Sequence, residues 1–183
     1  MEIVLTYEGR IPSKGSNLAA VWQMRKSFDT QLRKLWGKPP FDVLKKWEDS
    51  NFSGGAPNFL RACEGHTFVP LYGADVGVGV DLNIQLLTGM PAQKRVVSAG
   101  DLDNRIKRII DALQAPTQKG EMIAGLPPGQ RWYCLVENDS AVLGLRATLG
   151  AYLGSEDPSV SFATIVVKPI AMKVTLSNLA MLF

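Results

Sequence analysis

A single histidine and two cysteines in 183 residues leave little material for several common chemistries. Ser-His-Asp or Cys-His catalysis would rest entirely on His66, and no nucleophile-elbow pattern accompanies it. His66 has no partner at metal-ligand spacing and precedes a strand-like run over 67–71, so it reads as a structural residue. Cys63 and Cys134 lie far apart, and no leader with an apolar core and small-residue cleavage site precedes the first strand. Both facts argue against a disulfide framework and fit a reducing, cytoplasmic setting. Long apolar runs are missing too. Lys, Asp, or Gly and Pro clusters interrupt every candidate before the roughly 18 residues that a membrane span needs, so a soluble protein with no membrane partner is expected. Internal repeats and low-complexity tracts are absent from the sequence. With 46% hydrophobic residues, the expectation is one domain over 1–183.

Neither sign of charge dominates, since 20 Lys+Arg stand against 17 Asp+Glu for a net +3. The distribution says more than the sum. Nine basic residues fall in the first 50 positions and seven more between Lys94 and Arg131. If metal neutralises the carboxylates around Asp101, the surface left beside them is positive enough to suit a polyanion.

What the chain does have is clear periodicity. Residues 2–7 are β-branched and aromatic, as in a strand, and Gly9 with Pro12-Ser13-Lys14-Gly15 supplies a turn. Over 17–36, Leu18, Val21, Phe28, Leu32 and Leu35 recur at helical spacing, with Ser16 or Asn17 as cap and Pro39-Pro40 as terminator. Arg25, Lys26, Arg33 and Lys34 are assigned to the other face of that helix, read first as a solvated face and second as one that contacts phosphate. Residues 38–66 read as irregular, with a short helix over 41–47. Residues 76–86 alternate with period two, placing Val76, Val78, Val80, Leu82, Ile84 and Leu86 on one face. Gly77 and Gly79 within that run mark a bulge or close packing. Residues 116–131 form a long Pro- and Gly-rich loop, of a kind often functional or mobile. Strands follow over 132–136, 141–152 and 160–174, with Pro169 interrupting or edging the last. The fold class expected is α+β: a mixed sheet with two principal helices on one face.

The second helix carries the chemistry. Asp101, Asp103, Asn104, Lys107 and Asp111 lie within eleven positions, and Asp103, Lys107 and Asp111 form a column at i,i+4 spacing. Asp101 sits at or before the first turn, where the helix N-terminus favours an anionic phosphate. Two readings fit equally from the helix alone: metal ligands for phosphoryl chemistry, or a helix cap with ordinary i,i+4 ion pairs. Asp139 follows a strand downstream. A turn there directs its carboxylate towards the helix start, or it forms a plain Asn-Asp turn between strands.

The pattern Asp101-Leu102-Asp103-Asn104, Lys107, Asp111-Ala112-Leu113, with Asp139 and Val142 downstream, resembles the signature of the RusA-type Holliday junction resolvases, metal-dependent endonucleases of bacteria and phages. Pro12-Ser13 after the first strand is similar to that family's N-terminal Pro-Ser element. The resemblance implies that Asp101, Asp103 and Asp139 bind Mg²⁺ or Mn²⁺. It implies that Lys107 contacts the scissile phosphate and that Asn104 and Asp111 support the site. It further implies a RusA-like fold and a homodimer that nicks opposing strands of branched DNA. Three features depart from the family pattern. The downstream acidic pair is Asn138-Asp139 here, with Glu137 placed to compensate, and the stretches near 38–66 and 116–131 look like insertions that could reshape substrate access. The competing reading is a non-catalytic module that keeps the fold and binds branched DNA or a protein.

Overall fold

The computed structural model describes residues 2–13, 17–45, 48, 59–89, 99–175 and 178–182. Among the described residues, seven strands divide between two mixed sheets. The first sheet has the order β1-β7-β4-β6, from β1 (Ile3–Arg10), β4 (Val78–Gly89), β6 (Val142–Tyr152) and β7 (Val160–Ala171). Its first three neighbours pair antiparallel and β4 pairs with β6 in parallel. The second has the order β2-β3-β5, from β2 (Arg61–Cys63), β3 (His66–Tyr72) and β5 (Arg131–Val136), with β3 and β5 parallel. The fold is therefore α+β, with the strands split into two sheets rather than joined in one.

The alternation in β4 works as its period demands. Val76, Val78, Val80, Leu82, Ile84 and Leu86 are all buried, while Asn83 and Gln85 on the other face are exposed. The two glycines act differently from one another. Gly77 sits in the turn before the strand at φ +72°, a conformation that disfavours L side chains. Gly79 is a close-packing position, where an added Cβ would lie 2.8 Å from the Ala141 carbonyl oxygen. Pro169 does not interrupt β7. It pairs with Val80 in unbroken register, beyond Val167 where the pairing with β1 ends, so its missing N–H leaves no ladder position empty on that side.

Two long helices, α1 (Leu18–Trp36) and α3 (Ala99–Leu113), pack against each other and against β5, with α1 also crossing β1. The short α2 (Asp42–Lys45) follows α1. Asn17 caps α1, its side chain accepting the Ala20 N–H at 3.1 Å, and the chain leaves the helix at Gly37 before Pro39-Pro40. Met24, Phe28 and Leu32 of α1 and Ile109, Ala112 and Leu113 of α3 meet the inner strand faces in one core. Burying each of the Met, Phe, Leu and Ile side chains among them contributes about 1.5–3 kcal/mol.

The loop after α3 is packed against the body of the protein. A 3-10 turn over Lys119–Glu121 brings Met122, Ile123 and Leu126 onto a second cluster formed by Trp22, Cys63, Phe68, Ala115, Trp132 and Cys134. The Trp22 indole N–H donates to the Glu121 carbonyl at 2.8 Å, tying the loop to α1. Both cysteines are buried free thiols, and burial pushes the Cys134 thiol up to about 12. Among the described residues, no helix is long and apolar enough to cross a membrane.

The assignment of Arg25 to a solvated face is corrected. Arg25 is only 3% exposed and points at α3, donating from Nη2 to the Asp111 carbonyl at 2.6 Å and the Gln114 carbonyl at 3.3 Å. Lys26, Arg33 and Lys34 are exposed, with the Arg33 guanidinium lying over the Tyr133 ring. The irregular reading of 38–66 also gives way at its end, where 61–63 form β2 against β3. The glycine-rich centre of that stretch lies outside the described residues, as does most of the connection from β4 into α3.

Candidate functional site

Between α3 and the edge strand β6 the inner face of the first sheet is left partly uncovered. Leu82, Ile84 and Leu86 of β4 are covered, but their register partners on β6, Leu145, Ala147 and Leu149, are only half-buried or exposed. The resulting groove has a volume of about 450 Å³. Leu102, Ile106 and Ile110 of α3 form its apolar wall, and Leu145 and Ala147 its floor. Asp103, Lys107, Asp111 and Asp139 also line it.

The helix supplies three of these polar groups because Asp103, Lys107 and Asp111 recur every four residues along one stripe. The column does not pair internally in the way i,i+4 spacing suggests. Asp111 instead meets Arg108 at 3.6 Å, and neither Asp103 nor Lys107 forms a hydrogen bond or ion pair within the described residues. Burial raises the Asp111 pKa, with the Arg108 and Lys107 charges acting in the opposite direction.

Asp139 reaches the groove by a different route. β5 belongs to one sheet and β6 to the other, so the chain crosses between sheets over residues 137–141. The crossing is a 3-10 turn, Asp139–Ala141, capped by Asn138, whose side-chain oxygen accepts the Ser140 N–H at 3.0 Å and the Ser140 hydroxyl. Asn138 thereby shapes the turn that holds Asp139 out, exposed, towards α3. Asp139 is at once a turn residue and part of the groove lining.

Glu137 is committed elsewhere. Its carboxylate accepts from Arg61 Nη2 at 2.6 Å and Nε at 3.1 Å, and from the Ala74 N–H at 3.2 Å, with Asp75 on the far side of Arg61 at 2.7 Å. A Cβ on Gly73 would lie 2.6 Å from Glu137 Oε2, so this carboxylate is fitted into a slot beside β3. It does not stand in for the carboxylate that Asn138 lacks.

Asp101 is half-buried on the first turn of α3 and Asn104 is exposed, and neither lines the groove. Among the described residues, no three His, Cys, Asp or Glu side chains converge closely enough to hold a metal ion. Asp103 and Asp139 are oxygen donors on one groove, and among the described residues no side-chain partner competes for them. That set fits Mg²⁺, which commonly binds through one or two carboxylates and completes its shell with water and substrate phosphate. It is less than the three-carboxylate set that the motif implies.

Arg25 leaves the exposed face to which the sequence assigned it, and its spacing carries the signal for that. It lies four positions after Val21 and three before Phe28, on the buried stripe of α1. No family model matches this chain, and neither a curated protein nor a solved structure matches it.

Proposed function

We propose that this protein is a Mg²⁺- or Mn²⁺-dependent endonuclease acting on branched DNA, in the manner of the RusA-type Holliday junction resolvases. The observation that carries the reading is the shared groove, where the Asp103, Lys107 and Asp111 of the motif and the distant Asp139 line one surface. Nothing local in the sequence requires residues 28 positions apart along the chain to meet there, and metal-assisted phosphodiester hydrolysis needs carboxylate oxygens for the cation and a positive charge for the phosphate within one site.

Asp103 and Asp139 would hold the cation, with Asp101 one turn end away. When bound, it would polarise a phosphoryl oxygen and lower the pKa of water. Lys107, whose ammonium has no protein partner among the described residues, donates to a non-bridging phosphate oxygen and stabilises the charge that builds there. Asp111, held by Arg108, keeps the lysine column electrically balanced, and Asn104 supports the helix start from its exposed face. The apolar wall of Leu102, Ile106 and Ile110 limits water around the reacting group. A cytoplasmic homodimer with two such grooves would nick opposing strands of a four-way junction, in DNA recombination or repair.

The test is cleavage of a synthetic four-way junction against linear duplex in Mg²⁺ or Mn²⁺, comparing the parent with Asp103→Asn. The expected loss is at least about a hundredfold, the scale of removing one electrostatic stabiliser from a phosphoryl or acyl site. Full activity in Asp103→Asn, or no cleavage of any branched substrate by the parent, overturns the reading.

A second reading, a non-catalytic binder of branched DNA or of a protein, is favoured by the absence of a three-acid cluster among the described residues. Calorimetry separates the two. The enzyme takes up Mn²⁺ in a manner abolished by Asp103→Asn, whereas the binder takes up none and still binds DNA with salt-dependent affinity.

A further inference from the structure

A second cavity of about 300 Å³ opens between the start of α1 and the far side of α3. It shares Lys107 and Asp111 with the acidic groove and adds Arg25, Arg108, Asn17 and Glu121. Arg25 is the unusual member. It is 97% buried in effect, being only 3% exposed, yet its Nε and Nη1 find no hydrogen-bond partner within the described residues. The two carbonyls at Nη2 and the Trp22 ring, 4.8 Å from the guanidinium, offset part of the cost of burying this cation, and the two open donors leave a place for an anion.

The surroundings favour an anion. The two carboxylates of the cavity are already engaged: Asp111 by Arg108, and Glu121 by the Thr117 N–H at 2.7 Å and the Gln118 amide at 3.3 Å. Among the described residues, three cations against two carboxylates leave one positive charge, the complement of a phosphodiester monoanion. Asn17 caps a 19-residue helix with no acidic residue in its first turn, so the positive end of α1 adds to the field.

We propose that this cavity is a phosphate-binding subsite, organised by Arg25, that holds a phosphate group adjacent to the one met by Lys107 in the groove. The endonuclease reading bears on which molecule carries that phosphate, a DNA strand or a free phosphate; the subsite itself stands on the cavity, Arg25 and the α1 N-terminus. Lys107 borders both chambers, which makes the pair a track for two successive phosphates of one strand.

Binding without metal tests the proposal. In EDTA, the whole chain is titrated with inorganic phosphate and, separately, with a fluorescent single-stranded thymidine oligonucleotide. Two variants are compared with the parent. Arg25→Gln removes the buried charge, with folding checked by circular dichroism. Gly120→Glu places a carboxylate at the cavity lining where an added Cβ meets nothing within 4 Å, so the fold is unstrained. Both variants should weaken binding about tenfold, and Arg25→Gln should lower the slope of log affinity against log salt for the oligonucleotide by about 0.7, one phosphate fewer. Binding of the oligonucleotide with this pattern identifies a strand phosphate, and binding of inorganic phosphate alone identifies a free one. No binding of either, or binding unchanged in Gly120→Glu, overturns the subsite. Because no metal is present and no cleavage is read, Asp103→Asn can abolish junction cleavage or leave it untouched without altering this result.

Discussion

Glu137→Ala should lower the melting temperature by about 4–8 °C while leaving the acidic groove's own side chains in place. Glu137 accepts two hydrogen bonds from the Arg61 guanidinium, at 2.6 and 3.1 Å, and a third from the Ala74 N–H at 3.2 Å. Hydrogen bonds to charged groups contribute roughly 1.5–3 kcal/mol each when buried. Arg61 is 30% exposed and Glu137 16%, so screening reduces the whole set to about 2 kcal/mol. For a chain of this length, 1 kcal/mol moves the midpoint by about 2–4 °C. Arg61 keeps its bond to Asp75 at 2.7 Å in the variant, so Arg61→Ala and the double variant complete a cycle with a coupling of about 1 kcal/mol. Thermal unfolding by circular dichroism, run beside junction cleavage, reads both quantities. A Glu137→Ala protein with unchanged melting temperature and no cleavage would refute the structural role and place Glu137 among the ligands instead.

Two further outcomes follow from single positions. Gly79→Ala should cost about 2 kcal/mol in denaturant unfolding, because the added methyl meets the Ala141 backbone carbonyl at 2.8 Å and only the Leu143 side chain beside it can yield; an unchanged midpoint would mean that the crossing turn itself gives way. Asp111→Asn should raise the melting temperature at pH 7: burial raises the folded-state pKa of Asp111, so its contribution is fully present below the unfolded value of 3.8 and is lost as pH rises through the folded value, and the gap between variant and parent should close as pH falls below 3.8.

Periodicity carried the local structure and stopped at long-range pairings. The β4 alternation and the α1 stripe were legible because each buries one face against a single layer, so burial follows spacing directly. Arg25 occupies the same stripe, but a charged side chain is ordinarily solvated, and the groups that offset part of its burial include the Asp111 and Gln114 carbonyls, 86 and 89 residues away. The division into two sheets left no local mark. A five-residue link between β5 and β6 looks like a hairpin, whereas it carries the chain from one sheet to another, with β4 and not β5 beside β6. Of the site, the α3 column was readable from its spacing, and Asp139 from its motif. The fate of Glu137 was not, since its partner Arg61 lies 76 positions earlier.

Both walls of the acidic groove spring from one point. The end of β5 at Val136 bridges to Gln114, and its carbonyl accepts the Ala115 N–H at 3.2 Å, while three residues further on the chain presents Asp139. From Gln114 back to Asp103 the helix runs about 16 Å at 1.5 Å per residue. Burial thins along that length, from Leu113 and Ile109 fully covered, through Ile106, to Leu102 only partly so. The arrangement has the form of a pair of callipers joined at Val136, its α3 arm fully packed at the Asp111 end and only partly covered at the tip. A swing of about 5° moves Asp103 and Asp101 by roughly 1.4–1.7 Å, over the lever arm that the helical rise sets, and changes almost nothing at the hinge. The spacing between the carboxylates of the two walls is thus set by the angle of one helix, and the backbone bridge that fixes this angle lies at the end farthest from Asp101.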